Sequence, residues 1–333
     1  MNSPRGDWTP TQVIASRQPD DGAPRTVGGR LGRARSKSFA AMDSDRGDVL
    51  NPVPRRPIPF ALDRSTRDDI ALFLAEAALA AGPAVMEEYE RGCDVRSKED
   101  GSPVTSADHR AEAIICDHLA RMAPAPPICA EESTAAGTPI RAVGRFLLVD
   151  PLDGTREFLA HNGEFTINVA LIEGGAPMAG AVYAPAIERL WIGGDAAFVC
   201  QAPLGEGLPD IEKWQRIRAR RATESLIALV SRSHADPQSE SFLKRLPVRA
   251  ARGAGSSLKF CLIAEGLGDV YPRFAPTMEW DTAAGDAVLR AAGGVVLDPD
   301  GRALAYGKVD RGLRNGHFVA WGDATAAEKF GYC

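Results

Sequence analysis

Two hydrophobic periods alternate along this chain, and each predicts a different kind of element. From Asp63 onward, apolar residues recur at the spacing of one helix face, at Ile70, Phe73, Leu74, Ala77, Ala78 and Ala81. This spacing predicts a helix with Asp63 or Ser65 as its N-terminal cap. Gly82-Pro83 then predicts a kink or a break, because proline removes a helical hydrogen bond.

The pattern further along the chain predicts a second helix and then strands mixed with helices. Thr105 and Asp108 have the spacing of a capping box, so the second helix is expected to run from there to about Met122. After Asp150, alternating and short apolar runs predict strands at 165–171, 178–184, 189–193, 226–230, 269–271 and 295–297. Helical spacing predicts helices at 257–265 and 281–292. This order is typical of a layered α/β second half.

The stretch from Phe146 to Thr155 joins a buried-strand pattern to an abrupt change of chemistry. The apolar run 146–149 predicts a strand, and Asp150-Pro151-Leu152-Asp153-Gly154-Thr155 follows it at once. Pro151 lacks a backbone donor and Gly154 permits a left-handed turn, so we expect the strand to end with both carboxylates close together. Crowded, buried carboxylates are costly unless a cation such as Mg²⁺ joins them. Taken alone, the same residues are also typical of a solvated Asp-Pro turn.

Other polar residues stand where strands end or helices begin, and each has an ordinary structural explanation. Glu131-Glu132 follows a short apolar strand and fits a solvated strand end. Asp281 and Asp108 stand at predicted helix N-termini, where capping alone accounts for a carboxylate. The Thr155 hydroxyl fits turn hydrogen bonding, and it also suits the orientation of a water molecule. Only the combination of these residues points to chemistry.

Composition narrows the class of protein. The chain has 333 residues, is 44% hydrophobic and 25% charged, and carries a formal charge of −5. An acidic balance argues against a nucleic-acid polymer as partner. The six cysteines form no C-x-x-C pair, which favours a reducing, cytoplasmic setting without zinc or disulfides. We find no apolar run near the roughly 18 residues that span a bilayer, so no integral membrane segment is predicted.

Residues 1–60 differ from the rest of the chain. They contain ten Lys or Arg, six Asp, eight Pro and six Gly, and they are net +4, whereas the remainder is net −9. The absence of apolar periodicity predicts a disordered extension. Met42 is an alternative start of the chain. A composition break at Gly205-Glu206-Gly207 predicts a boundary near residue 200.

Taken together, these motifs resemble a known superfamily. The order Glu131-Glu132, Asp150-Pro151-Leu152-Asp153-Gly154-Thr155 and Trp280-Asp281-Thr282-Ala283-Ala284-Gly285 is similar to that of the inositol-monophosphatase-like, metal-dependent, lithium-sensitive phosphatases. The resemblance covers about residues 63–325. It implies the layered α/β/α/β/α sandwich, an α+β and α/β fold of the inositol monophosphatase and fructose-1,6-bisphosphatase type. It also implies an N-terminal α+β metal-binding domain at 61–200 and a C-terminal α/β nucleotide-binding domain at 201–333.

Within this superfamily, the chain most resembles bacterial 3′(2′),5′-bisphosphate nucleotidases of the CysQ type. The stretches that carry this resemblance are Arg156-Glu157-Phe158, Asn162 to Asn168, Ser231-Arg232-Ser233-His234, Gly255 to Phe260, and Met278-Glu279 before Trp280. Inositol monophosphatases usually carry Thr-Asn-Phe after the Gly-Thr and lack the Ser-Arg-Ser-His stretch. Arg156 replaces a more usual Lys, and Leu152 replaces a frequent Ile, with little expected change.

The resemblance implies a role for each candidate residue. The metal ligands would be Glu131, Asp150, the Leu152 carbonyl, Asp153 and Asp281, which would bind two or three Mg²⁺ ions. Thr155 and Asp108, with Glu131, would activate the attacking water, and Asp108 would contact Thr155. The residues implied to bind substrate are Leu152, Asp153, Gly154, Thr155, Ser231, His234, Ser256, Lys259 and Asp281. A cationic Lys259 suits a dianionic phosphate.

The implied reaction is hydrolysis of the 3′-phosphate of adenosine 3′,5′-bisphosphate to AMP and phosphate, linked to sulfate assimilation. One alternative is a monophosphatase of the same superfamily, acting on inositol phosphate, fructose 1,6-bisphosphate or histidinol phosphate; the stretches at 231–234 and 256–259 weigh against it. Another is a metal-binding regulatory homologue without activity, which the complete acidic set and Thr155 disfavour. The expected partner is a small phosphorylated nucleotide. Peripheral association with the cytoplasmic face of the inner membrane stays open, as does the oligomeric state.

Overall fold

The computed structural model describes residues 60–92, 95–97, 103–233 and 236–331. The predicted disordered extension therefore falls almost wholly outside the described residues, as does the predicted site residue His234. Within these ranges the α-helices are α1 (Arg67–Arg91), α2 (Ser106–Leu119), α3 (Glu131–Ala135), α4 (Thr155–Leu159), α5 (Pro237–Lys244), α6 (Leu258–Ala264), α7 (Trp280–Ala291) and α8 (Ala324–Phe330).

The strands fall into two large sheets and three short pairs. The strands up to residue 201 are β1 (Phe60–Ala61), β2 (Val95–Ser97), β3 (Pro103–Thr105), β4 (Met122–Ala123), β5 (Ile128–Ala130), β6 (Arg145–Asp153), β7 (Thr166–Glu173), β8 (Ala176–Ala184), β9 (Arg189–Gly193) and β10 (Ala197–Gln201). The later strands are β11 (Gln215–Ile217), β12 (Leu226–Ser231), β13 (Val248–Ala254), β14 (Val270–Arg273), β15 (Thr277–Met278), β16 (Val295–Leu297), β17 (Arg314–Asn315) and β18 (Phe318–Trp321). The short pairs are β1–β4, β2–β3 and β15–β17.

The first helix begins and continues differently from the sequence expectation. Its N-cap is Thr66, which forms a capping box with Asp69, so the predicted caps Asp63 and Ser65 are wrong. The helix also runs through Gly82-Pro83 without a break. A Cβ at Gly82 would lie 2.6 Å from Cε1 of Tyr183, so the small residue lets α1 pack closely on β8. Burial of the apolar face offsets the hydrogen bond that proline removes.

By length and composition alone, α1 is apolar enough to cross a membrane, contrary to the sequence expectation that no such stretch exists. Of the qualifying window, 67% is buried inside the protein. The helix packs on α2 and on strands β7 and β8. This packing is that of a core helix.

The seven-stranded sheet has the order β11-β10-β9-β8-β7-β6-β5. All neighbours are antiparallel except β5 and β6, which are parallel. Successive residues of β6 face opposite layers: Leu147 and Val149 pack toward α1 and α2, whereas Phe146 and Leu148 pack toward α7. Both faces of this sheet are therefore buried.

The five-stranded sheet has the order β13-β12-β14-β18-β16. Strands β13, β12 and β14 are parallel, and β18 is antiparallel to β14 and β16. One face packs on α6 and α7, and the other carries α5 and α8. The layers are thus α1 with α2, the first sheet, α6 with α7, the second sheet, and α5 with α8, which is the predicted order.

The middle layer lies unusually close to the first sheet. A Cβ at Gly193 of β9 would lie 2.5 Å from the Ala287 carbonyl oxygen and from the Val288 Cα of α7. One hydrophobic cluster runs from Phe146 and Trp191, across α7, to Phe318 of the second sheet. The helix that carries Asp281 is therefore held by both sheets.

Candidate active site

The site begins where β6 is distorted. Asp150 pairs with Asn168 and Asp153 with Thr166, so β6 contains one residue more than β7 over this interval. The bulge follows from Pro151, which has no N–H to continue the ladder. The Leu152 N–H instead donates to Oδ1 of Asp150 at 3.0 Å. This turn places both carboxylates of the motif at one end of the strand, as the sequence predicts.

Gly154 makes the next turn and α4 starts immediately after it. Its φ of +91° lies in the left-handed region, which a side chain at this position would disfavour. The Thr155 hydroxyl donates to the Leu152 carbonyl at 3.4 Å. Gly154 and Thr155, at the start of this short helix, line the same cavity as Asp150 and Asp153.

Asp153 is held by donors from two elements. Its Oδ2 accepts from Oγ of Ser256 at 2.8 Å and from Nδ2 of Asn168 at 3.2 Å. Asn168 also donates to Oγ of Ser257, which in turn donates to the Asp281 carbonyl. Ser256 and Ser257 thus connect the β6 turn to the start of α7.

Glu131 and Asp281 stand in the first turn of α3 and of α7, and both line the same cavity as the β6 turn. Asp281 Oδ2 accepts the Met278 N–H at 2.9 Å. Glu131 opens α3, whose first amides are held by another carboxylate: Glu112 accepts from the N–H of Glu132 at 2.7 Å and of Ser133 at 2.8 Å. Glu112 thereby fixes the first turn of α3, from which Glu131 lines the cavity.

Glu131, Asp150, Asp153 and Asp281 form what we call the acidic wall. Asp150 is 1% exposed. Burial raises its pKa well above the usual range, and the negative charges of Glu131, Asp153 and Asp281 raise it further. Burial is also the main cause of the raised pKa of Asp281, and the charges of Asp153 and Glu131 raise that pKa further. Burial and acidic neighbours thus disfavour the charges of Asp150 and Asp281, and a bound cation would relieve this cost.

A second wall of the same cavity is basic. Ser231, Lys259, Tyr271 and Arg273 form this basic wall, and they come from β12, α6 and β14. The buried Lys259 ammonium donates to the carbonyls of Ala254 at 3.2 Å and of Ser256 at 2.5 Å, and it lies 5.1 Å from the centroid of the Tyr271 ring. Burial lowers its pKa to about 8.

Arg273 is a cavity residue that sequence reasoning missed. Its Nε–H is buried and donates to no protein atom in the described part of the chain. A buried guanidinium donor without a protein partner is costly, and it is suited to an anionic ligand. The available signal was a charged residue at the end of the buried run Asp269 to Pro272.

The remaining predicted residues are placed as follows. Leu152, Gly154, Thr155, Ser231 and Ser256 line the cavity, whose volume is about 320 Å³. Asp108 is buried and caps α2, with Oδ2 accepting from the N–H and the hydroxyl of Thr105. The predicted capping box is therefore confirmed. Strand β3, which ends at Thr105, packs against α4, and direct contact between Asp108 and Thr155 stays a prediction.

The donor set of the acidic wall fits a hard cation. In the described residues, no group of three or more His, Cys, Asp or Glu side chains has the arrangement of a metal site formed by protein alone. Mg²⁺ does not need one, because it keeps several waters and binds through one or two carboxylates together with substrate phosphates. The stronger argument is the burial of Asp150 and its repulsion by neighbouring carboxylates, because a bound cation would relieve both.

Comparison with known proteins identifies the family. The model described as "Inositol monophosphatase family" matches residues 66–328. The chain belongs to the inositol monophosphatase family. Among curated relatives, the 3′(2′),5′-bisphosphate nucleotidase CysQ of Escherichia coli strain K12 is 42% identical over 238 residues, covering 70% of this chain and 92% of the relative. CysQ of Salmonella typhimurium is 40% identical over 235 residues, with the same coverage.

Solved structures of this inositol monophosphatase family share the fold. CysQ from Bacteroides thetaiotaomicron is 38% identical, has a TM-score of 0.62, and is matched over 76% of this chain and 96% of its own. Inositol monophosphatase from Anabaena sp. PCC 7120 is 24% identical, with a TM-score of 0.60 over 79% of this chain and 94% of its own. The predicted superfamily and the predicted layered fold are therefore confirmed.

Proposed function

We propose that this protein is a Mg²⁺-dependent 3′(2′),5′-bisphosphate nucleotidase that hydrolyses the 3′-phosphate of adenosine 3′,5′-bisphosphate to AMP and phosphate. The observation that carries the proposal is one cavity whose lining combines four carboxylates with Lys259 and Arg273. A cation site suits the phosphate that reacts, and the basic wall suits a second phosphate. The nucleotidases named above, at about 40% identity, support the same substrate class.

The acidic wall and the β6 turn account for the reacting side. Glu131, Asp150, Asp153, Asp281 and the Leu152 carbonyl would hold Mg²⁺, with two or three ions expected and lithium expected to inhibit. When bound, the metal neutralises phosphate charge and lowers the pKa of a water molecule. The amides of Gly154 and Thr155 donate to phosphate oxygens, and the Thr155 hydroxyl orients the attacking water, with Asp108 in support. Phosphoryl transfer depends on positioning and charge neutralisation, so no side-chain nucleophile is required.

The basic wall accounts for the non-reacting phosphate and the nucleoside. Lys259 has one ammonium donor beyond the two that its carbonyl partners accept, and Arg273 has its buried Nε–H. Ser231, Ser256 and His234 would complete the contacts. Two fixed cations bind a dianionic phosphate far better than a neutral hydroxyl, so a bisphosphate is favoured over a monophosphate.

The proposal extends to setting and organisation. The reaction would remove a nucleotide by-product of sulfate assimilation in the cytoplasm. All the metal ligands except Asp281 would belong to a domain at 61–200, and the contacts to the second phosphate and the nucleoside to one at 201–333. Strand β11, at 215–217, extends the first sheet beyond that boundary.

The test is a phosphate-release assay with Mg²⁺ on three substrates: adenosine 3′,5′-bisphosphate, its sulfated form and inositol 1-phosphate. We expect the highest kcat/KM on a nucleotide substrate, loss of activity with EDTA and recovery with added Mg²⁺. Preference for inositol 1-phosphate would replace the proposed function with the monophosphatase alternative. Activity that is unaffected by exhaustive chelation would contradict the metal assignment.

A further inference from the structure

Glu164 is a buried carboxylate that the proposed reaction does not use. It lies between α4 and β7, and its side chain is 2% exposed. A buried carboxylate is stable only when charged partners and hydrogen-bond donors surround it. Its partners come from two separate loops of the second sheet, so it joins parts of the protein that are distant in sequence.

The first partner is Arg232, which follows the cavity residue Ser231. Its Nε donates to Glu164 Oε2 at 2.7 Å and its Nη2 to Oε1 at 2.9 Å, a bidentate pair. Nη2 also donates to the Gly253 carbonyl at 2.9 Å. Arg232 therefore ties the loop after β12 to both Glu164 and the end of β13.

The second partner is the loop after β13. The Gly255 N–H donates to Glu164 Oε2 at 2.8 Å. A Cβ at Gly255 would lie 2.5 Å from the Glu164 carbonyl oxygen, so this close approach requires glycine. Ser256, which comes next, holds a left-handed φ of +52° and donates to Asp153. The position of Ser256 thus depends on the loop that Glu164 holds.

A parallel contact repeats this arrangement. Ser233 donates to Glu157 Oε1 at 2.5 Å, and Glu157 is itself a buried residue of α4 that lines the cavity. Arg232 and Ser233, the two residues after Ser231, are therefore each anchored to a buried carboxylate, Glu164 and Glu157.

We propose that Glu164 and Arg232 are positioning residues that set the distance between the loops of Ser231 and Ser256 and thereby make the cavity selective for a bisphosphorylated nucleotide. The inference rests on the proposed function and assigns Arg232 a role apart from direct phosphate binding. Both carbonyl partners of Lys259, Ala254 and Ser256, flank Gly255 in the loop that Glu164 holds, so loosening this loop shifts the ammonium as well. A displacement of about 1 Å at such a site is enough to weaken productive binding strongly.

A matched ion pair elsewhere in the protein provides the control. Arg220 donates to Asp269 through Nε at 2.7 Å and Nη2 at 2.6 Å, and Asp269 also accepts the Ile227 N–H. The exposed fractions are comparable: 34% and 1% for Arg220 and Asp269, against 30% and 2% for Arg232 and Glu164. Both pairs are bidentate, both carry one backbone N–H, and neither lines the cavity itself. They differ in what they hold: Arg232 follows the lining residue Ser231 and Glu164 binds Gly255 next to Ser256, whereas Arg220 and Asp269 have no lining residue beside them in the chain.

The experiment compares Arg232→Lys with Arg220→Lys, and Glu164→Gln with Asp269→Asn, in the full chain with Mg²⁺. Lysine keeps the charge but loses the two-pronged geometry. We expect all four variants to lose similar thermal stability. Only Arg232→Lys and Glu164→Gln should raise KM for adenosine 3′,5′-bisphosphate, by about tenfold, with kcat and the KM for 3′-AMP nearly unchanged. The double variant Glu164→Gln/Arg232→Lys should be no worse than either single variant.

The outcomes separate the positioning role of Glu164 and Arg232 from the proposed nucleotidase function. Equal KM values in the Arg232 and Arg220 variants would overturn the positioning role, as would a loss confined to kcat. Wild-type protein that does not prefer the bisphosphate over 3′-AMP would refute the proposed function. In that case the same KM comparison is made on the phosphate ester that the wild type hydrolyses. Unchanged KM values in both Arg232→Lys and Glu164→Gln would then overturn the inference.

Discussion

The acidic wall and the basic wall are built on different sheets and solve opposite electrostatic problems. The acidic wall stands mainly on β5 and β6, where burial and acidic neighbours raise the pKa of Asp150 and, at the start of α7, of Asp281. The basic wall stands on β12, β14 and α6, where Lys259 donates to two carbonyls, lies against an aromatic ring and has a pKa that burial lowers. Opposite charges offset these shifts only in part: Arg273 lowers the pKa of Asp281, and Asp153 raises that of Lys259.

This difference separates the two parts of catalysis. Under the proposed function, a cation at the acidic wall serves the chemical step, whereas the anion that the basic wall binds belongs to the substrate. Damage to the acidic wall should therefore lower kcat and the response to Mg²⁺. Damage to the basic wall should raise KM for bisphosphates and leave the metal response intact.

The largest effect is expected for Asp150→Asn. Loss of this ligand should lower kcat/KM on the order of 10³-fold, because several kcal/mol of transition-state stabilisation come from the metal. The same change removes a buried, repelled charge, so the metal-free variant should melt at a higher temperature than metal-free wild type. Thermal melts with EDTA and with Mg²⁺ measure both effects. Asp210→Asn, at a side chain that is 84% exposed, is the control; full activity in Asp150→Asn would contradict the comparison.

The next effect is expected for Lys259→Met, which should raise KM for the bisphosphate on the order of 10²-fold and change kcat by no more than a few-fold.

The pH dependence of the wild type should show the same cation. Burial lowers the pKa of Lys259 to about 8, so kcat/KM should fall above pH 8, where the ammonium loses its proton. The unfolded chain keeps this proton to about pH 10.5, so Lys259 makes the free energy of unfolding rise with pH between 8 and 10.5.

Lys259→Arg separates charge from shape in this pH profile. A guanidinium stays protonated over the whole range, so the fall of kcat/KM above pH 8 should disappear in this variant. The profile is measured at saturating Mg²⁺ from pH 6 to 9.5. A fall of the same size in Lys259→Arg would assign the titration to another group.

A smaller effect is expected for Arg273→Met. KM for the bisphosphate should rise about tenfold, because one charged donor to the substrate is lost. Thermal stability should not fall, since the buried Nε–H has no protein acceptor to lose. The positive charge of Arg273 also lowers the pKa of Lys259, so in Arg273→Met the fall of kcat/KM should occur at a higher pH than in wild type. A stability loss without a KM change would assign Arg273 to the scaffold.

The smallest effect is expected for Glu112→Gln, outside both walls. Weaker acceptance of the Glu132 and Ser133 amides should misplace Glu131 and raise the Mg²⁺ concentration for half-maximal activity about tenfold. KM for the nucleotide at saturating Mg²⁺ should be unchanged. The reverse pattern, a changed nucleotide KM with a normal Mg²⁺ response, would contradict the assignment of separate roles to the acidic wall and the basic wall.

Local chemistry explains which features could be predicted from the sequence. The turn at Gly154 and the capping box of Thr105 each depend on residues within a few positions, and the structure has both. At Pro151, where the sequence predicts the end of the strand, β6 instead bulges and continues to Asp153. The hydrophobic patterns of β7, β8 and α7 extend over enough residues to distinguish strand from helix. The choice of Thr66 over Ser65 as cap depends on Asp69, a nearby partner that the pattern alone did not weigh.

Features that depend on distant partners could not be predicted in this way. The helix continues through Pro83 because Gly82 packs against Tyr183, which lies a hundred residues later. Arg273 is a cavity residue only because β14 lies beside β12 in the second sheet. Glu164 and Arg232 have no local signature as a pair, since their contact joins the two sheets.

The shared middle layer has a consequence for motion. Helix α7 is packed so tightly on β9 that Gly193 admits no side chain, and the same cluster continues into the second sheet. Close-packed interiors transmit displacement rather than absorb it, so the two sheets cannot rotate as rigid bodies about a hinge between them. Substrate entry and product release are therefore left to loops and side chains at the mouth of the cavity, and heat should unfold both sheets in one cooperative transition.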